Sequence, residues 1–446
     1  MHIAGIIAEY NPFHNGHAWQ IAEAKRRGAQ KVVVALSAGL VQRGALPLLP
    51  ENVRVRAALA AGADMVVAIP APYAMSGAEA FARAGVALLA AAGCDALVFG
   101  AESADAKDCM AAAQALLSPE YAAALQAQLK GGARSFAAAR QAALGEVCPA
   151  AQILVQSPND NLGVEYCKAI LALGLDGIVM PLALPRQGAG HHAALPENEG
   201  AQPAAPACSS APCYASASAL RLLWAQYGAA ALAPYVPAAA LPLYKQAEKA
   251  GRDTAESAFS PALLSRLRML CGSAAARPFS RGETDEPPMP GELPFAGVRG
   301  AAGGLDRALE KAVREAGSAA QLFDALTTVR YPRARMRRLA LDAALGYTAA
   351  LPALPPYVHV LGARRPVAFA LHGAADAAAC EKMGIAALPM DTSLARLARR
   401  GAPQAAAAQA QAAAADMGAL CRRTPEPMGQ AYRQSCVFYT EKTTGI

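Results

Sequence analysis

Two histidines three positions apart, His14 and His17, stand at the end of the segment EYNPFHNGH, residues 9–17. Gly16 between them lets a ligand approach the backbone closely, and the free amides at the start of a helix attract anions. Imidazole rings can donate hydrogen bonds to phosphate oxygens as negative charge builds in a transition state. The pattern therefore indicates phosphate chemistry, to which Asn11 and Asn15 can add neutral donors.

Two other interpretations of this segment stay open from the residues alone. The histidines can form a turn and a helix cap, or they can hold a metal ion, for which Glu9 is the only nearby carboxylate. Cys208 and Cys213 also lack the second ligand pair of a zinc site, so we predict no protein-bound metal.

The surrounding sequence alternates between strand and helix patterns. Short apolar runs separated by helical patterns occupy residues 2–8, 31–37, 63–70, 94–100 and 176–184. Such runs need a parallel sheet covered by helices on both faces, and right-handed crossovers make that sheet doubly wound. We therefore predict an α/β fold with a Rossmann-like doubly wound parallel sheet. Residues 9–17 then lie at the carboxyl end of the first strand, where such sheets bind ligands.

Four further residues follow predicted strands or begin predicted helices. Arg186 lies in a glycine-rich turn after the fifth run, and its guanidinium suits a phosphate or a carboxylate. Gln42 and Arg43 follow the second run, so they either reach the same crevice or form a solvated loop. Asn159 can cap the following helix or donate to a nucleotide.

Length and composition divide the chain into four segments. At 446 residues it exceeds one ordinary domain. We predict a nucleotide-binding catalytic domain at 1–195, its helical extension at 196–281, a linker at 282–304 and a mainly helical, basic C-terminal domain at 305–446. The linker contains four prolines and six glycines. In the C-terminal domain we expect helices at 305–349 and 405–416 and strands at 357–363 and 366–373.

Composition narrows the class of protein. Apolar residues make up 54% of the chain, but many are alanine, and we find no run long enough for a membrane span. Without a basic, cleavable leader we expect a cytoplasmic protein with no membrane partner and with reduced thiols at its ten cysteines. The net charge of +7 permits a polyanionic partner.

The positive charge concentrates towards the C-terminus. Arg330, Arg333, Arg335, Arg337 and Arg338 fall within nine residues. On a helix, positions 330, 333 and 337 share one face, which can lie along a phosphate backbone. The alternative is a solvated face without a partner.

Several motifs together resemble one family. HNGH is similar to the HxGH signature of the HIGH-type nucleotidyltransferases and class I aminoacyl-tRNA synthetases. A longer series resembles the bacterial tRNA(Met) cytidine acetate ligases and keeps its order up to about residue 225. Its members are GIIAEYNPFHNGH (5–17), VQRG (41–44), GAEAFARAGVALL (77–89), LVFGAES (97–103), SPNDNLGVEYCKAI (157–170), RQGAGHH (186–192) and SASALR (216–221).

The resemblance implies an ATP-dependent ligase whose partners are acetate and elongator tRNA(Met). Such an enzyme makes acetyl-adenylate from acetate and ATP and releases pyrophosphate. It then passes the acetyl group to the exocyclic amine of the wobble cytidine, which gives N-acetylcytidine and AMP. ATP is the implied cofactor, with Mg²⁺ carried by its phosphates.

The chemistry of the residues, the arginine cluster and the resemblance together give individual residues expected roles. His14 and His17 are the expected catalytic pair, and Arg330, Arg333, Arg337 and Arg338 are the expected tRNA contacts. The implied ATP contacts are Ile7, Ala8, Glu9, Tyr10, Asn11, Pro12, Phe13, His14, Asn15, Gly16, His17, Ala18, Trp19, Gln20, Gly100, Asn159 and Arg186.

The chain departs from the family pattern in three places. Ala38 replaces a glycine, Pro50 and Glu51 replace an Asp-Lys pair before Arg54, and Ala193 replaces a carboxylate. These changes bear on substrate choice and activity, so two alternatives stay open. One is a small-molecule adenylyltransferase, against which the long basic C-terminal half argues. The other is a catalytically impaired, nucleotide-dependent tRNA-binding protein.

Overall fold

The structure, a computed structural model, describes residues 1–102, 105–133, 135–186, 213–275, 294–365 and 387–440. The predicted strand at 366–373 and the departure at Ala193 lie outside the described residues.

Five parallel strands form the centre of the sheet. They are β1 (Ile3–Ala8), β2 (Lys31–Ser37), β3 (Met65–Ile69), β4 (Ala96–Ala101) and β5 (Met180–Pro185). Their spatial order is β5-β4-β1-β2-β3, and every neighbouring pair runs parallel. The order reverses around β1, so the loops after β1 and β4 open a crevice at the carboxyl edge of the sheet. The predicted doubly wound parallel sheet is confirmed.

Helices cover both faces of this sheet. In the first half of the chain they are α1 (Asn15–Arg26), α2 (Glu51–Ala60), α3 (Ala71–Ala74), α4 (Ala78–Ala91), α5 (Ala106–Leu116), α6 (Pro119–Lys130), α7 (Phe136–Val147), α8 (Pro158–Ala172), α9 (Ala217–Tyr227) and α10 (Leu241–Lys249). Alternate residues of β2 enter different cores: Val33 packs with α4, α5 and α8, whereas Val34 packs with α1, α2, α9 and α10. Burial on both faces explains why the strands are continuously apolar.

The C-terminal half extends the same sheet. Its strands are β6 (Val358–Arg364), β7 (Met390–Asp391) and β8 (Val437–Tyr439). Strand β6 pairs antiparallel with β3, while β7 and β8 both pair parallel with β6. The strand expected at 357–363 is confirmed, and it covers an edge of β3 that would otherwise be unpaired.

The C-terminal helices are α11 (Glu256–Ala275), α12 (Leu305–Glu315), α13 (Ala319–Leu326), α14 (Arg333–Leu345), α15 (Leu394–Ala398), α16 (Ala402–Leu420) and α17 (Gln430–Arg433). Helices α11 to α14 and part of α16 build a third core, whereas α15 packs into the core that contains Val33. Helix α16 includes the alanine-rich tract expected to be helical. No helix among the described residues is long and apolar enough to cross a membrane.

The described part of the predicted linker, residues 294–304, packs against this third core. Phe295 is fully buried, and the Arg299 guanidinium forms an ion pair with Asp342 at 2.7 Å. Arg299 also donates to the carbonyl oxygen of Met75, which lies just after α3. The proline and glycine content predicted irregular backbone, and these contacts fix that backbone in place.

The cysteines differ in part from the expectation of reduced thiols. Seven cysteines of the described residues are free, among them Cys109 and Cys167 in the core. Cys213 is disulfide-bonded, so the expectation is wrong at that position.

Candidate active site

A buried arginine, Arg54, binds the backbone of the turn between β1 and α1. The Arg54 side chain is 0% exposed, and its Nη1 donates to the carbonyl oxygens of Glu9 and Ser37, at 2.9 and 2.8 Å. These carbonyls follow β1 and end β2, so one guanidinium ties the ends of two neighbouring strands together. Tyr10 has a φ of +47°, and the Asn11–Pro12 peptide bond is cis.

His14 is the N-cap of α1. Its Nδ1 accepts a hydrogen bond from the Gly16 amide at 3.1 Å, and His17 Nδ1 accepts one from the His14 amide at 3.2 Å. The two side chains therefore form a reciprocal capping box in which imidazoles replace the usual hydroxyl and carboxylate. The two histidines therefore do cap α1, and the cap uses only their Nδ1 atoms.

The cap also fixes where the histidine protons are. Because each Nδ1 accepts a hydrogen bond, each neutral ring carries its proton on Nε2. The rings stack with centroids 3.7 Å apart. Burial and the nearby charge of Arg186 lower the pKa of His14 to about 3, and burial, His14 and Arg186 lower the pKa of His17 as well. At neutral pH the pair therefore offers two Nε2–H donors without carrying charge.

Gly16 is required by the same geometry. A Cβ atom at this position would lie 3.0 Å from Cε1 and 3.2 Å from Nδ1 of the His14 ring. A side chain there would displace the ring that caps the helix, so the glycine keeps both the cap and the open approach to the backbone.

A cavity of about 450 Å³ lies at the carboxyl edge of β1 and β4, within the size range of small-molecule and cofactor sites. Both His14 and His17 line this cavity, which we call the histidine cavity. Most of the other predicted ATP contacts line it too: Ile7, Ala8, Glu9, Tyr10, Asn11, Gly16, Trp19, Gln20, Gly100, Asn159 and Arg186. The structure thus gathers residues separated by up to 179 positions in the sequence into one crevice.

Four predicted contacts are absent from the lining of this cavity: Pro12, Phe13, Asn15 and Ala18. Phe13 is fully buried, and its carbonyl oxygen accepts a hydrogen bond from the Tyr244 hydroxyl at 2.7 Å. The Asn15 side chain donates to the carbonyl oxygens of Cys213 and Pro234 instead. Phe13 and Asn15 thus anchor the turn to the helical extension.

Arg186 follows β5 directly. Its amide continues the ladder by donating to the Ala101 carbonyl at 3.1 Å, and the cavity wall includes its side chain. Gly100 lies beside it, because a Cβ at position 100 would be 3.5 Å from Arg186 Cγ. The small residue on β4 therefore leaves room for the arginine to reach across the strand end.

Asn159 is the second residue of α8, and Ser157 occupies the N-cap position. The N-cap role considered for Asn159 is therefore wrong, because Pro158 begins the helix one residue earlier. The Asn159 amide donates to Glu102 Oε1 at 2.7 Å while the residue lines the cavity.

Gln42 and Arg43 both reach the cavity, so the crevice alternative holds for this pair. The Gln42 amide donates to Glu9 Oε1 at 2.7 Å, which joins the loop after β2 to the end of β1. Arg221 of α9 also lines the cavity, donating to the Asn11 carbonyl oxygen at 2.7 Å. Sequence reasoning missed Arg221 as a site residue, although it ends the SASALR motif.

The basic cluster is divided between structural and exposed arginines. Helix α14 begins at Arg333 after the N-cap Pro332, so Arg330 precedes the helix and the predicted shared face of 330, 333 and 337 is wrong. Arg337 Nε donates to the Gly44 carbonyl oxygen at 3.1 Å, and Arg338 Nη1 donates to that of Gln42 at 3.3 Å.

The other arginines of the cluster face solvent. Arg330, Arg333 and Arg335 are exposed, and Arg333 pairs with Asp324. Arg330 and Arg335 both lie over the ring of Tyr331. These three form the exposed arginine patch.

Glu51, which replaces a lysine of the family pattern, lies away from the histidine cavity. It lines a second cavity of about 280 Å³, bounded by α2, β6 and α16. There Glu51 Oε1 accepts a weak hydrogen bond from Gln434 at 3.4 Å. The substitution therefore leaves the lining of the histidine cavity unchanged.

Comparisons with known proteins found similar chains. The family profile described as HIGH Nucleotidyl Transferase matches residues 1–277. A tRNA(Met) cytidine acetate ligase of Latilactobacillus sakei is 33% identical over 343 residues, which cover 76% of each chain. A second tRNA(Met) cytidine acetate ligase, from Syntrophotalea carbinolica, is 39% identical over 196 residues. That match covers 43% of this chain and 46% of the relative, so the chain matches about half of that relative's length.

Solved structures show the same fold. Thermotoga maritima TmcAL, bound with alpha-thio ATP, superposes with a TM-score of 0.77 at 21% sequence identity. The match covers 98% of this chain and 99% of that one.

Proposed function

We propose that this chain, which belongs to the HIGH nucleotidyl transferases and to the tRNA(Met) cytidine acetate ligase family, acetylates a tRNA cytidine with acetate and ATP. In the first step an acetate oxygen attacks the α-phosphorus of ATP, which forms acetyl-adenylate and releases pyrophosphate. In the second step the wobble cytidine's exocyclic amine attacks the acetyl carbonyl, which gives N-acetylcytidine and AMP. The proposed compartment is the cytoplasm.

The observation that carries the proposal is the pair of neutral Nε2–H donors in a cation-lined crevice. Phosphoryl transfer depends mainly on positioning and on stabilising charge at the non-bridging oxygens. His14 and His17 supply fixed donors, and the guanidinium groups of Arg186, Arg43 and Arg221 line the same cavity. We propose that these groups hold the triphosphate and the developing charge.

Magnesium fits this site as an ion carried mainly by ATP. Of the lining residues that the structure describes, Glu9 alone is acidic. The described residues contain no group of three or more His, Cys, Asp or Glu side chains that could hold a metal. A bound Mg²⁺ would neutralise charge on the phosphates.

The exposed arginine patch supports the tRNA part of the proposal. Arg330, Arg333 and Arg335 are exposed, and guanidinium groups bind a phosphate backbone well; Arg333 would exchange its pairing with Asp324 for a phosphate. The proposed contacts at Arg337 and Arg338 are weaker candidates, because both side chains already bond the loop that carries Gln42 and Arg43.

A catalytically impaired tRNA-binding protein is the second candidate, and its basis was the loss of a lysine at position 51. Glu51 lies outside the histidine cavity, which argues against impairment of the first step. A small-molecule adenylyltransferase would leave the exposed arginine patch without a role.

Incubation of the purified chain with ATP, labelled acetate and tRNA(Met) tests the proposal. Nucleoside mass spectrometry should find acetylcytidine that depends on all three substrates, with one AMP formed per acetyl group. Acetate-dependent pyrophosphate exchange without tRNA tests the first step alone. Tight tRNA binding without any exchange would favour the impaired protein, and exchange with another acid would favour the small-molecule enzyme.

A further inference from the structure

Among the described residues that line the histidine cavity, Glu9 is the one carboxylate beside several cations. Glu9 lies one residue beyond β1, and Arg43, Arg186 and Arg221 line the same cavity. A carboxylate repels phosphate oxygens, so its presence in a site built for a triphosphate calls for a different partner. That partner must offer hydrogen-bond donors or a proton.

The Glu9 carboxylate is held in a fixed orientation. Its Oε1 accepts the Gln42 amide at 2.7 Å, and the Glu9 carbonyl oxygen accepts from the buried guanidinium of Arg54. The other carboxylate oxygen, Oε2, accepts no hydrogen bond from any residue that the structure describes, and Glu9 lines the cavity. One oxygen is therefore committed to the loop after β2, and the other is available to a substrate.

The second step of the proposed reaction needs such a group. Cytosine presents its 4-amino group as a hydrogen-bond donor, and Glu or Asp side chains accept from it. Uracil presents a carbonyl oxygen at that position, which a carboxylate repels. Resting on the proposed function, we propose that Glu9 Oε2 accepts the exocyclic amine of the target cytidine and takes its proton during acetyl transfer.

Acetyl transfer from acetyl-adenylate to the cytidine needs no further reagent. The amine nitrogen forms a bond to the acetyl carbonyl carbon, and the bond from that carbon to the AMP oxygen breaks. AMP leaves with the electron pair of that bond, and the proton lost by the nitrogen moves to Glu9 Oε2. The proton then passes to solvent before the next turnover.

The partly buried position of Glu9 supports this role. Desolvation raises the pKa of Glu9 above its ordinary value, against the lowering effects of the Gln42 hydrogen bond and of Arg221, Arg43 and Arg54. Tyr166 of α8 is a further titratable group close to Glu9, whose charge helps to raise the pKa of Tyr166. A raised pKa makes the carboxylate a better proton acceptor near neutral pH.

Separate measurement of the two steps tests the inference in the full chain. Glu9→Gln keeps an oxygen for the Gln42 amide but cannot take a proton. Because Glu9 also lines the cavity proposed for ATP, we expect acetate-dependent ATP–pyrophosphate exchange to fall, but by no more than about tenfold. Single-turnover transfer from acetyl-adenylate to tRNA should fall by about 100-fold or more, the range of general-base catalysis. Glu310→Gln is the matched control. It makes the same chemical change on α12, outside the lining of the histidine cavity, and should alter neither step.

Two further readouts separate proton transfer from a structural role. In the unmodified chain the transfer rate should fall as pH drops through the pKa of Glu9, and Glu9→Gln should remove this inflection. The variant should also discriminate less between transcripts with cytidine and uridine at the wobble position, because its amide can donate to the uracil oxygen. Thermal melting and Glu9→Asp, which should recover part of the transfer rate, control for folding.

The outcomes are distinct. Equal loss of exchange and transfer in Glu9→Gln, with a raised requirement for Mg²⁺, would make Glu9 a phosphate-site or metal-site residue and overturn the inference. Unchanged transfer and an unchanged pH profile would also overturn it. If the unmodified chain forms no acetyl-adenylate, the proposed function itself fails, and that result appears before any variant is made.

Discussion

The Arg338 guanidinium on α14 donates to the carbonyl oxygen of Gln42, 296 residues earlier in the chain. Arg337 does the same for Gly44, which has a φ of +71° and sits against the backbone of α14. The amide of Gln42 in turn holds Glu9. Helix α14 therefore supports one wall of the histidine cavity.

Replacing Arg337 and Arg338 together by Ala should weaken this wall. Each change removes a charged donor to a backbone carbonyl, worth about 1.5–3 kcal/mol for a hydrogen bond to a charged group. We expect a lower melting temperature and an ATP affinity reduced by about tenfold, measured calorimetrically. The matched control, Arg330 and Arg335 replaced by Ala, should keep both values. An unchanged ATP affinity in the double variant would show that the loop holds its shape without α14.

His14→Ala or His17→Ala should reduce acetate-dependent pyrophosphate exchange by about 100- to 1000-fold. Each change removes an Nε2–H donor, and the loss of one donor to a charged transition state costs about 2.7–4 kcal/mol. Because the rings also cap α1, thermal melting must accompany the assay, with about 1 kcal/mol of destabilisation expected from the lost cap. Exchange rates near those of the unmodified chain in folded variants would remove the phosphate role.

Acid should destabilise the chain through its buried histidines. His359 is buried, its Nδ1 is hydrogen-bonded to Gln411, and burial lowers its pKa to about 4. An unfolded histidine binds a proton below about pH 6.5. The unfolded state therefore binds more protons between about pH 4 and 6.5, so the free energy of unfolding rises with pH in that window and levels off above it.

Denaturant titration of His359→Gln measures this contribution. The unmodified chain should lose about 2 kcal/mol more than the variant between pH 7 and pH 5, from the shift in proton affinity. His2→Gln, a change at an exposed histidine, should keep the full dependence. Parallel curves for His359→Gln and the unmodified chain would contradict the prediction.

The sheet could be predicted from the sequence because each strand is continuously apolar and separated by helical patterns. The partnership of β3 with β6 could not, because it joins residues about 300 positions apart and no local pattern specifies the pairing. The histidine turn was identified from spacing and position alone. Arg221 was missed because its role depends on how α9 packs across the β1 turn, and Arg337 was assigned to RNA because its bond to Gly44 is equally non-local.

The pairing of β3 with β6 predicts that a fragment ending near residue 280 does not fold stably. Such a fragment lacks β6, which would expose the edge of β3 and the side chains of Val55 and Leu59. Circular dichroism should show a loss of cooperative melting, or the fragment should aggregate. A stable fragment with a sharp melting transition would show that residues 1–280 are an independent domain.

A point change tests the same packing within the full chain. A Cβ at Gly362 of β6 would lie 2.6 Å from Val55 and 2.9 Å from Leu59, so Gly362→Ala should lower the melting temperature. Gly272 lies in α11 with open space around it, so Gly272→Ala should leave stability unchanged or raise it by up to about 1 kcal/mol.

The exposed arginine patch should control how tRNA affinity depends on salt. Arg330, Arg333 and Arg335 are exposed and make no contact with the histidine cavity, whereas Arg337 and Arg338 are tied to the loop after β2. Each phosphate contact releases counterions, and its removal lowers the slope of log affinity against log salt by about one unit. Replacing all three exposed arginines by Ala should therefore weaken tRNA binding and reduce the slope by up to about three units.

ATP-dependent formation of acetyl-adenylate should persist, since the cavity is untouched. Gel-shift titrations at several salt concentrations measure the slope, and a variant that binds tRNA with the full salt dependence would place the RNA on another surface.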